Sequence, residues 1–153
     1  MTMTVEQAVA LACTAHEGQV DKAGRPYILH PMRVGLALVP FGTDAVIAGL
    51  LHDVVEDTDW TLDGLRAAGA SEVSLSAIDS VTKTTSERTV AAYTASVTRA
   101  LTDPVGRLVK AADIADNHGR LHRLPEGPMK AGLAAKYAAV LPMVRAAVPE
   151  FAL

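Results

Sequence analysis

The stretch D-A-V-I-A-G-L-L-H-D-V-V-E-D, residues 44–57, determines the expected fold more than any other part of this chain. Residues 45–51 are all apolar, whereas a helix at a protein surface has apolar side chains on one face only. We therefore expect a buried central helix over residues 44–57, with the other helices packed around it. No charged residue stands between Asp44 and His52, so the polar groups that follow lie at the end of this helix.

Four ionisable residues end this segment: His52, Asp53, Glu56 and Asp57. Glu56 follows His52 by four residues, and Asp57 follows Asp53 by four, so each pair shares one helix face. Buried unpaired charge is costly, and a bound metal ion is one way to compensate it. The alternative is an acidic helix end that water solvates. The two extra acids and the apolar lead-in favour a functional site.

The rest of the chain also predicts helices. Half of the 153 residues are hydrophobic and only 4% are aromatic, which favours packed helices over a β-sandwich. We expect one all-α domain over residues 1–153, a bundle of about seven or eight helices, the first of which spans residues 5 to about 19. Capping residues predict where several of them begin: Thr4, Thr61, Ser71 and Ser86.

Two further segments contain candidate ligands. In V-K-A-A-D-I-A-D-N, residues 109–117, Asp113 and Asn117 share a helix face; Asp113 can bind a cation, and Asn117 can hold a water or a substrate oxygen. In G-R-P-Y-I-L-H-P, residues 24–31, His30 is expected at a helix N-cap before a proline. Each alone has an ordinary explanation, either as the polar stripe of an amphipathic helix or as a structural histidine.

Together these segments match a known family. The matching stretches are, in order, A-H-E-G-Q-V-D-K-A-G-R-P-Y-I-L-H-P (residues 15–31), L-L-H-D-V-V-E-D-T (50–58), V-T-K (81–83) and V-K-A-A-D-I-A-D-N (109–117). The chain resembles the (p)ppGpp hydrolase domain of the RelA/SpoT proteins, within the HD superfamily. It is most similar to the small stand-alone hydrolases that lack a synthetase domain. The resemblance implies an HD-type helical bundle that removes the 3′-pyrophosphate of a hyperphosphorylated nucleotide.

The resemblance also assigns roles to individual residues. It implies one divalent metal, usually manganese, with four ligands: His30, His52, Asp53 and Asp113. It implies two residues that orient or deprotonate the attacking water: Glu56 and Asp57. It implies three that line the nucleotide pocket or support the site: Lys22, Tyr27 and Asn117. Two imidazoles and two carboxylates independently suit Mn, Fe or Zn.

The chain departs from the family in its base-recognition residues. Asp21 stands where the family usually has an arginine that helps to hold the guanine base. A carboxylate cannot stack on a base as arginine does, and it repels phosphate. Arg25 can swing inward to compensate, and Ile114 and Asp116 replace a basic residue and a histidine. We therefore expect that all four metal ligands are present and that the pocket discriminates only weakly between nucleotide bases.

Three functions remain open. The leading one is hydrolysis of the 3′-pyrophosphate of ppGpp or a related nucleotide. The second is an HD phosphohydrolase that acts on an adenine analogue, a 5′-nucleotide or NADPH, which Asp21 keeps open. The third is a non-catalytic nucleotide-binding regulator. Glu56 and Asp57 argue against the third, because a binder needs no acid that activates water.

Charge and hydropathy restrict the partners. The net charge of −3 argues against a broad nucleic-acid surface. No apolar run has the length of a membrane span, and the amino-terminal residues lack the basic start of a signal peptide. We expect a cytoplasmic protein with a small-molecule nucleotide as partner, and a homo-oligomer remains open. Cys13 is the only cysteine, which excludes an internal disulfide, and we expect it to be a small core residue.

Overall fold

The computed structural model describes residues 1–153 and confirms the all-α expectation. No β-strand is present, and one isolated bridge joins Val20 and Pro26. None of the helices is long and apolar enough to cross a membrane. α4 is a single turn of four residues, so eight longer helices remain, as expected. The nine helical segments are α1 (Val5–Ala15), α2 (Leu29–Ala37), α3 (Thr43–Leu51), α4 (Val54–Asp57), α5 (Leu62–Ala67), α6 (Glu72–Val81), α7 (Val90–Ala100), α8 (Gly106–Gly119) and α9 (Pro128–Ala147), with 3₁₀ turns at Val39–Phe41 and Leu121–Arg123.

α3 forms the centre of the bundle. Residues 45–51 are all buried, and α3 packs against α1, α2, α6 and α8. A helix that is apolar all round is stable only in such surroundings. The end of α3 therefore lies in the interior, and His52 is only 3% exposed.

The central helix is not continuous over residues 44–57, which corrects the expectation. α3 ends at Leu51, and α4 begins at Val54 after a turn at His52 and Asp53. The ring Nδ1 of His52 lies 2.7 Å from the carbonyl oxygen of Gly49. The amide of Asp53 would bond to that carbonyl in a continuous α-helix. After this break the side chains of His52 and Asp53 face each other, with Nε2 of His52 3.0 Å from Oδ2 of Asp53.

Two boundaries near the amino terminus also differ from those expected. α1 ends at Ala15, before residue 19. The chain then turns at Gly18, whose positive φ of 77° is easy only for glycine. α2 begins at Leu29, so His30 lies in its first turn and not at its N-cap. The residues before α2 form the loop that bears several candidate substrate contacts.

Most of the predicted caps are present. α7, however, begins after Thr89, whose side chain accepts from the amide of Ala92, and not after Ser86. Cys13 is exposed, so the expectation of a core cysteine is wrong; the buried stripe of α1 lies on another face of the helix. The confirmed side-chain caps are Thr4, Thr61 and Ser71.

α2 and α3 approach each other closely at two glycines. A Cβ on Gly49 would lie 3.1 Å from Cα of Gly35 and 2.7 Å from Cδ1 of Leu38. A Cβ on Gly35 would lie 2.7 Å from Cγ of Leu50. Only glycine permits this separation, which sets the distance between the two helices that bear His30 and precede His52.

Gly49→Ala is expected to lower the free energy of unfolding by about 1–3 kcal/mol, because an added methyl group in a packed core displaces its neighbours. The matched control is Gly132→Ala in α9, where no atom lies within 4 Å of the new Cβ. The control is expected to gain up to ~1 kcal/mol from helix propensity. Urea unfolding measures both variants. Equal stability of the two variants would contradict a tight contact between α2 and α3.

Candidate metal centre

Three separate parts of the chain bring four potential ligands together. His30 comes from the first turn of α2, His52 and Asp53 come from the turn after α3, and Asp113 comes from the middle of α8. Nε2 of His30 lies 3.2 Å from Oδ1 of Asp113 and 3.6 Å from Oδ2 of Asp53. Nε2 of His52 lies 3.0 Å from that Asp53 oxygen and 3.8 Å from that Asp113 oxygen. The side chains predicted as ligands therefore face one point.

The two ring nitrogens of His52 have different surroundings. Nδ1 donates to the carbonyl oxygen of Gly49 at 2.7 Å, which leaves the lone pair on Nε2. That Nε2 is buried and has no hydrogen-bond partner; its 3.0 Å approach to Asp53 does not have the geometry of a hydrogen bond. A buried polar atom without a partner is costly. Nε2 of His52 is therefore placed to bind a cation.

His30 is oriented in the same way. Its Nδ1 lies 2.7 Å from Oδ2 of Asp116, which resembles the carboxylate partners that orient metal-binding histidines. Burial disfavours the charged imidazolium, but the hydrogen bonds to Asp113 and Asp116 and the charge of Asp53 outweigh burial and raise the pKa of His30 to about 10. A proton on Nε2 thus takes the position that a metal would take.

Neighbouring side chains hold the two carboxylates in place. Asp113 accepts from Nζ of Lys110 at 3.0 Å and from Nδ2 of Asn117 at 2.7 Å. The hydroxyl of Tyr27 donates to Oδ2 of Asp53 at 2.5 Å. Burial opposes ionisation of Asp113, but Lys110 and the two imidazoles hold the pKa of its carboxyl well below the usual range. The two carboxylates are therefore held in position, and that of Asp113 is anionic.

The donor set fits a divalent cation. Neighbouring ligand atoms bound at about 2.1 Å to one ion lie about 3 Å apart. The four nitrogen–oxygen separations range from 3.0 to 3.8 Å, so a small contraction suffices. Two imidazoles and two carboxylates suit Mn, Fe or Zn and leave positions open for water and a phosphate oxygen.

A second group of carboxylates lies beside this set. Oxygens of Asp53, Glu56 and Asp57 lie within 4.8 Å of one another. Glu56 accepts from the amide of Lys83 at 2.9 Å and lies 3.1 Å from its Nζ. The Asp57 side chain has no such partner, and burial together with the charges of Asp53 and Glu56 raises the pKa of its carboxyl. Asp57 is therefore the acid best placed to accept a proton.

The candidate residues line a single large cavity of about 620 Å³, a volume that suits a nucleotide-sized ligand. Ten of the eleven predicted site residues line it, and only His52 lies behind its wall. Nine of the fourteen lysines and arginines of the chain also line it. The cavity is therefore cationic in a protein of net charge −3, which favours an anionic ligand.

Asp21 shapes the loop before α2. Its Oδ1 accepts from the amides of Ala23 at 2.8 Å and Arg25 at 2.9 Å. The side chains of Lys22 and Arg25 are exposed at the cavity and enter no hydrogen bond or ion pair. One oxygen of Asp21 thus supports backbone, while the neighbouring cations remain available to a ligand.

Asp116 is the neighbour of the site that sequence reasoning missed. Its Oδ1 accepts from Nε of Arg33 at 2.6 Å and from Nε of Arg120 at 2.8 Å, while Oδ2 accepts from His30. The spacing of Asp116 and Arg120 predicts a pair on one helix face. No local pattern, however, relates Asp116 to His30, which lies 86 residues away.

The fold and the site define a class of protein: an all-α domain whose histidines and aspartates form a candidate centre for a divalent metal beside a cationic cavity. The family model described as HD domain matches residues 8–145. The chain therefore belongs to the HD domain family, in which a histidine–aspartate set binds a divalent metal.

Curated relatives are much longer than this chain. A protein from Streptomyces coelicolor named GTP pyrophosphokinase is 37% identical over 127 residues, which cover 78% of this chain and 14% of the relative. A guanosine-3′,5′-bis(diphosphate) 3′-pyrophosphohydrolase from Borreliella burgdorferi is 44% identical over 82 residues, which cover 52% of this chain and 12% of the relative. The chain thus spans a small fraction of either relative.

A solved structure supports the fold. It is described as a metazoan ortholog of SpoT that hydrolyses ppGpp, and it aligns with a TM-score of 0.80 over 95% of this chain and 87% of that chain. The sequence identity is 23%. The helical arrangement is therefore shared although most side chains differ.

Proposed function

We propose that residues 1–153 form one HD phosphohydrolase domain that removes the 3′-pyrophosphate of (p)ppGpp or a related hyperphosphorylated nucleotide. For ppGpp the products are a nucleoside diphosphate and pyrophosphate. The observation on which this proposal rests is the convergence of four candidate ligands, beside two further acids, at the wall of one cationic cavity. The names of several relatives support it, because they refer to this reaction.

In this proposal one divalent ion, manganese by resemblance to the family, is held by the ligand set: His30, His52, Asp53 and Asp113. When bound, such an ion lowers the pKa of a water and neutralises charge on phosphate oxygens. Asp116 and the Gly49 carbonyl fix the two imidazoles so that each Nε2 faces the centre. Tyr27 and Asn117 hold the two carboxylates in the same way.

Asp57 is proposed as the base that takes the proton from the attacking water. Its carboxyl has a raised pKa, and a base works best when its pKa approaches the working pH. Glu56 is held by Lys83 and is proposed to orient the water. A regulator that only binds nucleotide would need neither acid, which favours catalysis over the third candidate.

The second candidate, hydrolysis of another nucleotide, is favoured by one observation. Asp21 turns one carboxylate oxygen to its own loop, so this position offers a base neither a stacking cation nor a full pair of acceptor oxygens. We propose that the choice of base is relaxed. The cytoplasmic location remains a prediction, and whether the chain forms a homo-oligomer remains open.

A substrate panel with manganese tests the proposed function. The purified chain is expected to release pyrophosphate from guanine and adenine 3′-pyrophosphates, with a preference below about 100-fold, or some 2.7 kcal/mol in the barrier. Asp57→Asn protein supplies the background rate. Turnover of NADPH or 5′-nucleotides without turnover of 3′-pyrophosphates would establish the second candidate. Binding without any turnover would establish the regulator.

A further inference from the structure

Four arginines of the cavity lining lie near one another. This arginine cluster consists of Arg25 from the loop before α2, Arg33 from α2, Arg120 from the end of α8 and Arg123 from the following 3₁₀ turn. All four line the cavity wall. None of them is among the candidate metal ligands or the water-activating acids.

Asp116 is the one carboxylate that pairs with the arginine cluster. Oδ1 of Asp116 accepts from Arg33 and Arg120, and Oδ2 accepts from Arg33 at 2.9 Å and from His30 at 2.7 Å. Each oxygen thus already has two donors, which uses the capacity of the carboxylate. Asp116 therefore cannot neutralise further guanidinium groups.

The two remaining arginines have no anionic partner. Arg25 and Arg123 are exposed at the cavity, and neither side chain makes a hydrogen bond or an ion pair. Repulsion by Arg25, followed by burial and the charges of Arg120 and Arg33, lowers the pKa of the Arg123 guanidinium. Such an accumulation of like charge is unfavourable without a bound anion.

Two lysines of the cavity are paired with carboxylates, whereas Lys22, Arg88 and Lys136 make no ion pair. Lys83 lies 3.1 Å from Glu56 and 3.6 Å from Glu87. Lys110 lies 3.0 Å from Asp113. What distinguishes the arginine cluster is that the unpaired Arg25 and Arg123 lie near two further arginines, whose shared carboxylate already has four donors.

We propose that the arginine cluster binds a phosphate or diphosphate group of the substrate, at a site separate from the metal centre. The two sites lie on opposite sides of one ring, because His30 directs Nδ1 to Asp116 and Nε2 to the metal ligands. Guanidinium groups bind phosphate oxygens in pairs. This inference rests on the proposed function. It implies that the cavity binds a nucleotide with anionic groups at both ends, one at the metal centre and the other at the arginine cluster.

Calorimetric titration of the metal-free protein with inorganic pyrophosphate tests this site. Without metal, the carboxylates of the centre repel pyrophosphate, so the arginine cluster is the expected binding site. Arg25→Gln together with Arg123→Gln is expected to weaken binding by about 10–100-fold, as is typical for lost bonds to a charged group. Both side chains are exposed and make no contact that folding needs, so the double variant should fold.

Two controls locate the binding. Arg145→Gln, on the exposed face of α9 and outside the cavity, is expected to change affinity by less than about 2-fold. Arg88→Gln with Lys136→Gln removes two other cavity cations and is expected to weaken binding far less than the arginine pair. The inference is overturned if wild type does not bind millimolar pyrophosphate, or if the Arg88 and Lys136 pair has an equal or larger effect.

The result is independent of the substrate panel. A protein that binds pyrophosphate through Arg25 and Arg123 but hydrolyses no 3′-pyrophosphate retains this site and refutes the proposed function. If the protein hydrolyses ppGpp but the Arg25→Gln and Arg123→Gln changes leave its affinity for pyrophosphate unchanged, the proposed site is refuted and the proposed function is retained.

Discussion

His52→Ala is expected to lose the divalent metal and the phosphohydrolase activity together. Nε2 of His52 is buried without a hydrogen-bond partner, and its removal leaves three candidate ligands. Metal affinity should fall by more than about 100-fold, because even outer partners of metal ligands are worth 10–100-fold. Turnover should fall at least about 10³-fold, since water is no longer activated. Metal content after dialysis and manganese titration followed by electron paramagnetic resonance measure the loss.

The matched control is His122→Ala. His122 is exposed in a 3₁₀ turn and lies outside the cavity lining, so this variant should retain metal and activity. Because His52 is buried, circular dichroism of both variants separates loss of metal from loss of fold. A folded His52→Ala protein with the metal content of wild type would refute the assigned ligand set.

Asp57→Asn is expected to reduce turnover by about 10²–10⁴-fold, as for the loss of a general base. Asparagine keeps the size of the side chain but cannot accept the proton. Metal content should remain that of wild type, because Asp57 is not one of the four side chains that converge on the proposed metal position. Single-turnover kinetics with saturating manganese measure the chemical step directly.

Two comparisons sharpen this experiment. Glu56→Gln should have a smaller effect than Asp57→Asn, since Lys83 already engages Glu56. Asp59→Asn is the matched control, because Asp59 is exposed two residues further along and does not line the cavity. Unchanged turnover in both single variants and in the double variant would show that these acids do not prepare the water.

The helices that position the site were largely predictable. Residues 45–51 are apolar on every face, so their burial in α3 followed from composition alone. The caps at Thr4, Thr61 and Ser71 followed from side-chain hydrogen bonding that is local in sequence. The break after Leu51 was not predicted, because it involves a hydrogen bond from the His52 ring to the backbone carbonyl of Gly49.

The roles of the substrate residues were less predictable. Asp21 was expected to face a base, but one of its oxygens closes its own loop. Its neighbours Lys22 and Arg25 remain exposed at the cavity. A turn bond and a ligand contact compete for the same carboxylate, and residue order alone does not reveal which prevails.

By itself the sequence determined the helical class, the buried central helix and the residue types that can bind a metal, because helix periodicity and ligand chemistry are local properties. Only the tertiary structure decided how these residues meet. The close approach at Gly35 and Gly49 brings α2 to α3, and packing of α2 on α8 places Asp116 against His30 from 86 residues away. Such contacts depend on the packing of whole helices, so no local pattern predicts Asp116 or the arginine cluster.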